Sequence, residues 1–305
     1  MTSKANQSLK AGDLVDIVSP GSSSRAEDVE LCLDLLHSWG LKTRLPKETF
    51  SRHPFHSNED EMRFELLKKA LTATDSKSIW CLRGGYGANR LLPQLWKMKA
   101  PLKSKMLIGY SDITSIHLLL DKWKWTSYHG PLLETLVSGR LKAEQIEECR
   151  AVIFGEKKEL KFRLVPMNEK ARQVKNLKTT LMGGNLIVFE SALGTPYARK
   201  FAGKLLALEE VGERGYRIDR MLHHLKQAGA LKGCKGIIFG DFLFGDERDG
   251  ENFVRYALDR FAKENFIACY SGIEMGHGDN NRMLALGAPA TLKNNELTLS
   301  MGIKK

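Results

Sequence analysis

KMLIGYSDITSIHLLLDKW (residues 105–123) runs from an apolar stretch through a turn into apolar residues at helical spacing. Strand, turn and helix follow one another without a linker, and the same grammar recurs on either side. SIWCLRGGYGANRLLPQLW (78–96) is a strand, a glycine loop and the opening of a helix. Further upstream, LVDIVSP (14–20) ends in a Gly/Ser turn, and RAEDVELCLDLLHSWG (25–40) follows it with helical periodicity and a terminal glycine. NEDEMRFELLKKAL (58–71) carries an acidic first turn and a basic later one, as a helix dipole favours, and TSYHGP (126–131) closes the series. Such alternation predicts an α/β fold with a parallel, doubly wound sheet flanked by helices.

From about 136 to 175 the pattern weakens and charge rises, so this stretch reads as a connecting segment holding one helix, AEQIEECRAVIFG (143–155). Strands and helices then resume. LLALEEVG (205–212), GCKGIIFGDF (233–242) and FIACYSG (266–272) read as strands, YRIDRMLHHLKQAG (216–229) and FVRYALDRFAKEN (253–265) as helices. ALGAPATLKNNELTLS (285–300) reads as a hairpin turning at Asn294-Asn295. The expected organisation is an N-terminal α/β domain over 1–135, the connection over 136–175, and a smaller C-terminal mixed α/β domain over 176–305, with a crevice between the two domains.

Composition narrows the class. The 305 residues are 42% hydrophobic and 27% charged, as in a globular protein. The N-terminus, MTSKANQSLKAGD, has no signal-like apolar core, and no run approaches a membrane span, so no membrane partner is expected. Five cysteines stand singly with no CxxC pair, which reads as reduced thiols in a cytoplasm. The net charge of +11 suits anionic ligands, but basic residues are dispersed, with only KWKW (122–125) and the terminal lysine pair clustered; no nucleic-acid partner is expected.

Ligands of open α/β sheets bind beyond the carboxyl ends of the strands. RGGYG (83–87), GYSD (109–112) and LEEVGE (208–213) all fall there. Ser111 would stand at the first turn of a helix, where free N–H groups can hold an oxyanion, and Gly84 and Gly85 would bring a second backbone close. A serine there is equally an ordinary helix cap. Among eight histidines, His37 and His117 sit in apolar helical runs, His53 and His56 in a polar loop, and His223 and His224 adjacent on one helix. His129 ends a strand and is a pocket candidate; His277, in MGHGDNN, occupies a tight loop suited to a general base. Glu209 ends an apolar run and should have a partner, although Glu210 on the opposite strand face could take the role, and either could pair with Arg217 or Arg220 instead. Asp241, Asp246 and Glu247 are spaced too loosely for an EF-hand, and neither a metal site nor a cofactor site emerges.

Taken together, GDLVDIVSPGS, RGGYGANRLLP, IGYSDIT, YHGP, LMGGNL, LALEEVGERGYRIDRML and MGHGDNNRMLALGA resemble the LD-carboxypeptidase family, serine peptidases of murein recycling that also include microcin-immunity hydrolases. The resemblance spans nearly the whole chain. It implies Ser111 as nucleophile, Glu209 and His277 as its catalytic partners, and a homodimer. It further implies cleavage of terminal D-alanine from a murein tetrapeptide after its diamino acid. The backbone N–H groups of Asp112 and Gly85 would hold the oxyanion, and Asn185 and Arg83 would bind substrate. A microcin-type hydrolase of aminoacyl-nucleotide conjugates, with the same triad, and a non-catalytic muropeptide or nucleic-acid binder are the alternatives.

Overall fold

The computed structural model describes residues 3–304; Met1, Thr2 and Lys305, which touch the N-terminal reading, the terminal lysine pair and the outer domain bounds, lie outside the described residues. In chain order the strands are β1 (Asn6–Gln7), β2 (Leu14–Val18), β3 (Lys42–Arg44), β4 (Ser78–Cys81), β5 (Met106–Gly109), β6 (Ser127–His129), β7 (Glu159–Arg163) and β8 (Val165–Pro166). They continue with β9 (Asn176–Asn185), β10 (Lys204–Val211), β11 (Gly236–Leu243), β12 (Cys269–Ser271), β13 (Leu284–Leu286), β14 (Pro289–Lys293), β15 (Glu296–Ser300) and β16 (Ile303–Lys304).

The first sheet has the order β13-β6-β5-β4-β2-β3, and all its strands but β13 are parallel. Its faces are both covered because its strands are apolar on both sides. Trp80 and Leu82 pack into the core that holds Val29, Cys32 and Leu36 of the helix Ala26–Ser38. Ile79 and Cys81 pack into the core that holds Phe64, Leu67 and Leu71 of the helix Asp60–Thr72. Successive side chains of one strand thus serve opposite layers, which is why no polar alternation marks these strands. The order reverses at β2, which lies between β3 and β4, and loops following β2 and β4 flank that switch point.

The second sheet has the order β7-β15-β14-β9-β10-β11-β12-β8. Its centre, β9 to β12, is parallel, and the strands outside it are antiparallel. The expected hairpin is β14–β15, with Asn294 (φ 48°) and Asn295 (φ 66°) forming its turn. Asparagine tolerates these left-handed angles, which match the twist of the strands it joins.

One expectation needs correction. The stretch 136–175 is more than a connection, because β7 and β8 are edge strands of the second sheet. In β7, Leu160 and Phe162 are buried while Glu159, Lys161 and Arg163 are exposed; the charges that suggested a linker are the solvent face of a period-two strand. The second sheet has eight strands and the first six. The chain halves do not stay apart: β13 leaves the second half and pairs antiparallel with β6, placing Leu284 opposite His129.

If β7 is a sheet strand, Phe162→Ala should cost about 3–5 kcal/mol of stability, the usual loss for emptying a buried aromatic site. Urea unfolding of the variant measures this; a loss below about 0.5 kcal/mol, as expected of a linker residue, would contradict the assignment.

Candidate active site

Ser111 follows β5 by one residue and opens a single 3₁₀ turn, Ser111–Ile113, that leads into the helix Thr114–Lys122. Its backbone has φ +63°, a left-handed conformation that costs a non-glycine residue about 1–3 kcal/mol. Strand, strained serine and helix reproduce the arrangement that lifts a nucleophilic hydroxyl clear of its sheet, here without the flanking second glycine. Gly84 fits directly against it: a Cβ there would lie 3.0 Å from Ser111 Cβ and 3.3 Å from its Oγ. Behind them the loop after β2 closes the cluster, since Ser22 N donates to Gly84 O at 2.9 Å.

The Asp112 side chain is buried and ties these loops together, its Oδ2 accepting from Ala88 N at 2.8 Å. Burial pushes its carboxyl up to about 6 despite that hydrogen bond. Its backbone N–H is the one that follows the serine. Gly85 has φ +81° and faces the Ser22 side chain, so the glycine that touches Ser111 is Gly84.

From the second sheet, Glu209 near the end of β10 is wholly buried. His277 lies in the loop between β12 and β13. Its Nε2 is 3.2 Å from Ser111 Oγ and its Nδ1 is 2.7 Å from Glu209 Oε2. The imidazole also packs on Tyr110, ring centroids 4.8 Å apart. Three side chains far apart in the chain therefore form one hydroxyl–imidazole–carboxylate line. That line can take the serine proton, fix the imidazole tautomer and stabilise the imidazolium.

The paired glutamates differ in their surroundings. Glu210 points to the other side, where its Oε2 accepts from Ile187 N at 2.8 Å and its Oε1 from Val211 N at 2.9 Å and Asn185 Nδ2 at 3.1 Å. Burial pushes Glu210 up to about 7. Neither glutamate pairs with Arg217, which meets Glu213 instead.

Asn185 does not reach the cleft, contrary to the expectation for a substrate binder. It is buried, its Oδ1 caps the helix Leu186–Ser191 through Val188 N at 3.3 Å, and its Nδ2 is spent on Glu210. Helix capping consumes the groups a ligand would need. His129 is likewise no pocket residue: it is fully buried behind Glu209, with Nε2 4.0 Å from Glu209 Oε1 and no hydrogen-bond partner for either ring nitrogen among the described residues. Burial holds its pKa well below the ordinary imidazole value, so it stays neutral. Arg83 does line the cleft, its Nε 3.8 Å from Glu134 Oε2.

Sequence reading missed Asp241, at a strand end like Glu209. Its Oδ2 accepts from Gly278 N at 2.9 Å, holding the loop that carries His277. A Cβ at Gly276 (φ +129°) would stand 2.7 Å from Asp241 Cβ, and one at Gly278 would stand 2.6 Å from Asp241 Oδ2. Both glycines are needed for this approach. The signal was present as GDF at the end of an apolar run, but no partner could be assigned to it.

The cleft in front of Ser111 has a volume of about 340 Å³ and is lined by Arg83, Tyr110, Thr135, Arg140 and His277 among others. Larger hollows of about 490 and 570 Å³ lie elsewhere on the first domain, around Asp16 and Lys69 and around Lys77 and Lys105. Chemistry, not size, singles out the smaller cleft.

The chain is similar to known proteins over nearly its whole length. Residues 15–130 match the LD-carboxypeptidase N-terminal domain and residues 178–292 the LD-carboxypeptidase C-terminal domain. A putative carboxypeptidase of Rickettsia conorii is 34% identical over 99% of this chain and 95% of its own length. The murein tetrapeptide carboxypeptidase of Pseudomonas aeruginosa is 27% identical over 93% of this chain and 94% of its own. The crystal structure of muramoyltetrapeptide carboxypeptidase from Oxalobacter formigenes superposes with a TM-score of 0.79 at 27% identity, covering 94% of this chain and 97% of that one.

Glu210 yields a prediction in pH. Its carboxyl is raised from 4.5 to about 7 in the folded protein, so the folded state holds the proton more tightly than the unfolded chain. Its contribution to stability is complete below about pH 4.5 and falls as pH rises towards 7. Glu210→Gln removes this linkage. Melting temperatures of variant and wild type across pH 4 to 8 should shift in the variant's favour with rising pH; a constant difference would contradict the raised carboxyl.

Proposed function

The chain belongs to the LD-carboxypeptidase family, and from that membership and the site geometry we propose that it is a serine-type peptidase that removes the terminal D-alanine from murein tetrapeptides. The observation that carries the proposal is the unbroken line from Ser111 Oγ through His277 to Glu209, at 3.2 and 2.7 Å. The substrate rests on the relatives named for murein and muramoyl tetrapeptides. Action in the cytoplasm, in cell-wall recycling and as a homodimer belongs to the same proposal; the five free cysteines support the location.

Ser111 Oγ attacks the carbonyl of the diamino acid while its proton passes to His277 Nε2. Glu209 keeps Nδ1 protonated and balances the charge of the imidazolium. The tetrahedral oxyanion is held by the backbone N–H of Asp112 and by one from the Gly84–Gly85 turn, taken as Gly85. Each such donor contributes on the order of 10²–10³ in rate. His277 then returns the proton to the departing nitrogen, D-alanine leaves, and an acyl-enzyme remains on Ser111. Water, deprotonated by the same imidazole, hydrolyses the ester and restores the hydroxyl. The strained φ of Ser111 fits this role, since a mere helix cap needs no left-handed serine.

Purified protein incubated with murein tetrapeptide should yield tripeptide and D-alanine by mass spectrometry. Ser111→Ala and His277→Ala should each lower kcat by about 10⁴-fold or more with the fold intact by circular dichroism. Glu209→Ala should lose on the order of 10²-fold or more, whereas Glu210→Gln should stay within about tenfold. Release of the amino acid from an aminoacyl-nucleotide conjugate with none from tetrapeptide would favour the microcin-type activity. Binding without turnover of either would refute catalysis.

A further inference from the structure

A peptidase that takes only the last residue must recognise the free carboxylate that makes it last. In an extended peptide that carboxylate lies about one residue, roughly 3.6 Å, beyond the scissile carbonyl. Any cation that holds it must therefore face the same cleft as Ser111. Two guanidinium groups line that cleft, those of Arg83 and Arg140.

Their electrostatic situations differ. Arg83 already has Glu134 within 3.8 Å, which partly neutralises it and places a carboxylate where an anionic ligand would be repelled. Arg140 forms no ion pair among the described residues. It is oriented nonetheless: Nη1 donates to the backbone carbonyl of His277 at 3.3 Å, and its side chain interacts with the hydroxyl of Tyr110, which also meets Thr135. Two of the five guanidinium donors are thus engaged and the others remain for a ligand. An oriented, charged and unneutralised fork beside a nucleophile is suited to bidentate binding of a carboxylate.

We propose that Arg140 is the specificity residue that binds the terminal carboxylate of the substrate, resting on the carboxypeptidase reading of this site. Arg83, the other guanidinium of the cleft, is held towards Glu134, and Arg140 is the anchor. The contact with the His277 backbone carbonyl orients the guanidinium, whereas the imidazole itself is held through Nδ1 by Glu209 at 2.7 Å.

The test uses the full-length protein and two substrates that differ only at the chain end: the tetrapeptide with a free D-alanine carboxylate, and the same peptide ending in D-alaninamide. Wild type should favour the free acid by about 100-fold in kcat/KM. Arg140→Gln should lose about 100-fold on the acid, mainly through KM, and stay within about threefold on the amide. Arg140→Lys, which keeps the charge and loses the fork, should recover part of the loss on the acid. Arg83→Gln should leave the acid-to-amide ratio near that of wild type. Equal loss on both substrates, no loss on either, or transfer of the selective effect to Arg83→Gln would overturn the assignment. If wild type turns over neither substrate, the carboxypeptidase reading itself fails and the proposal falls with it. Arg140 is exposed, so a variant that melts as wild type does separates lost recognition from lost folding.

Discussion

The site is organised around a carboxylate that water cannot reach. Glu209 is fully buried, and an isolated charge there would be prohibitively costly. What makes it tolerable is an imidazole supplied from another part of the chain, with Nδ1 2.7 Å from Oε2. The second oxygen has no hydrogen bond among the described residues and faces a neutral histidine, His129, at 4.0 Å. A buried acceptor so poorly served makes the demand for His277 strong. The loop carrying that histidine has two glycines because Asp241 must come close enough to hold it. Burial, loop composition and second carboxylate are thus one problem and its solution.

The same reasoning explains what the sequence disclosed. Ser111, Glu209 and His277 were readable because each follows or ends an apolar run, and the C-terminal ends of parallel strands gather at one edge. The choice of Glu209 over Glu210 was beyond residue pattern alone, since neighbours on a strand face opposite ways and both are buried. It depends on which side meets an imidazole and which meets backbone N–H groups. Asn185 was misjudged because a helix N-cap and a substrate ligand use the same amide. Strand β7 was missed because its three charged residues outweighed the alternation of Leu160 and Phe162. Arg140 gave no signal at all: it lies in the exposed stretch SGR (138–140), and only the folded chain brings it against His277.

Backbone strain is present where the chemistry would be. Ser111 is held at positive φ between a buried strand and a helix buried along most of its length, and Gly84 is pressed against it. The surrounding anchors include Asp112, whose carboxyl binds the far loop, and Thr114, whose Oγ1 accepts from Asn185 N of the second sheet at 3.0 Å. A hydroxyl fixed on so many sides has little freedom to lose on reaching a transition state.

The exchange of β13 between the halves bears on how this protein could have arisen and how it could be divided. His277 sits between β12, which belongs to one sheet, and β13, which is stitched into the other. A cut in the polypeptide anywhere between the two sheets' main portions would leave the first fragment without its edge strand and the second with that strand orphaned. Neither piece would be a self-sufficient module to shuffle onto another partner. The apparent border along the chain is therefore not a seam in space.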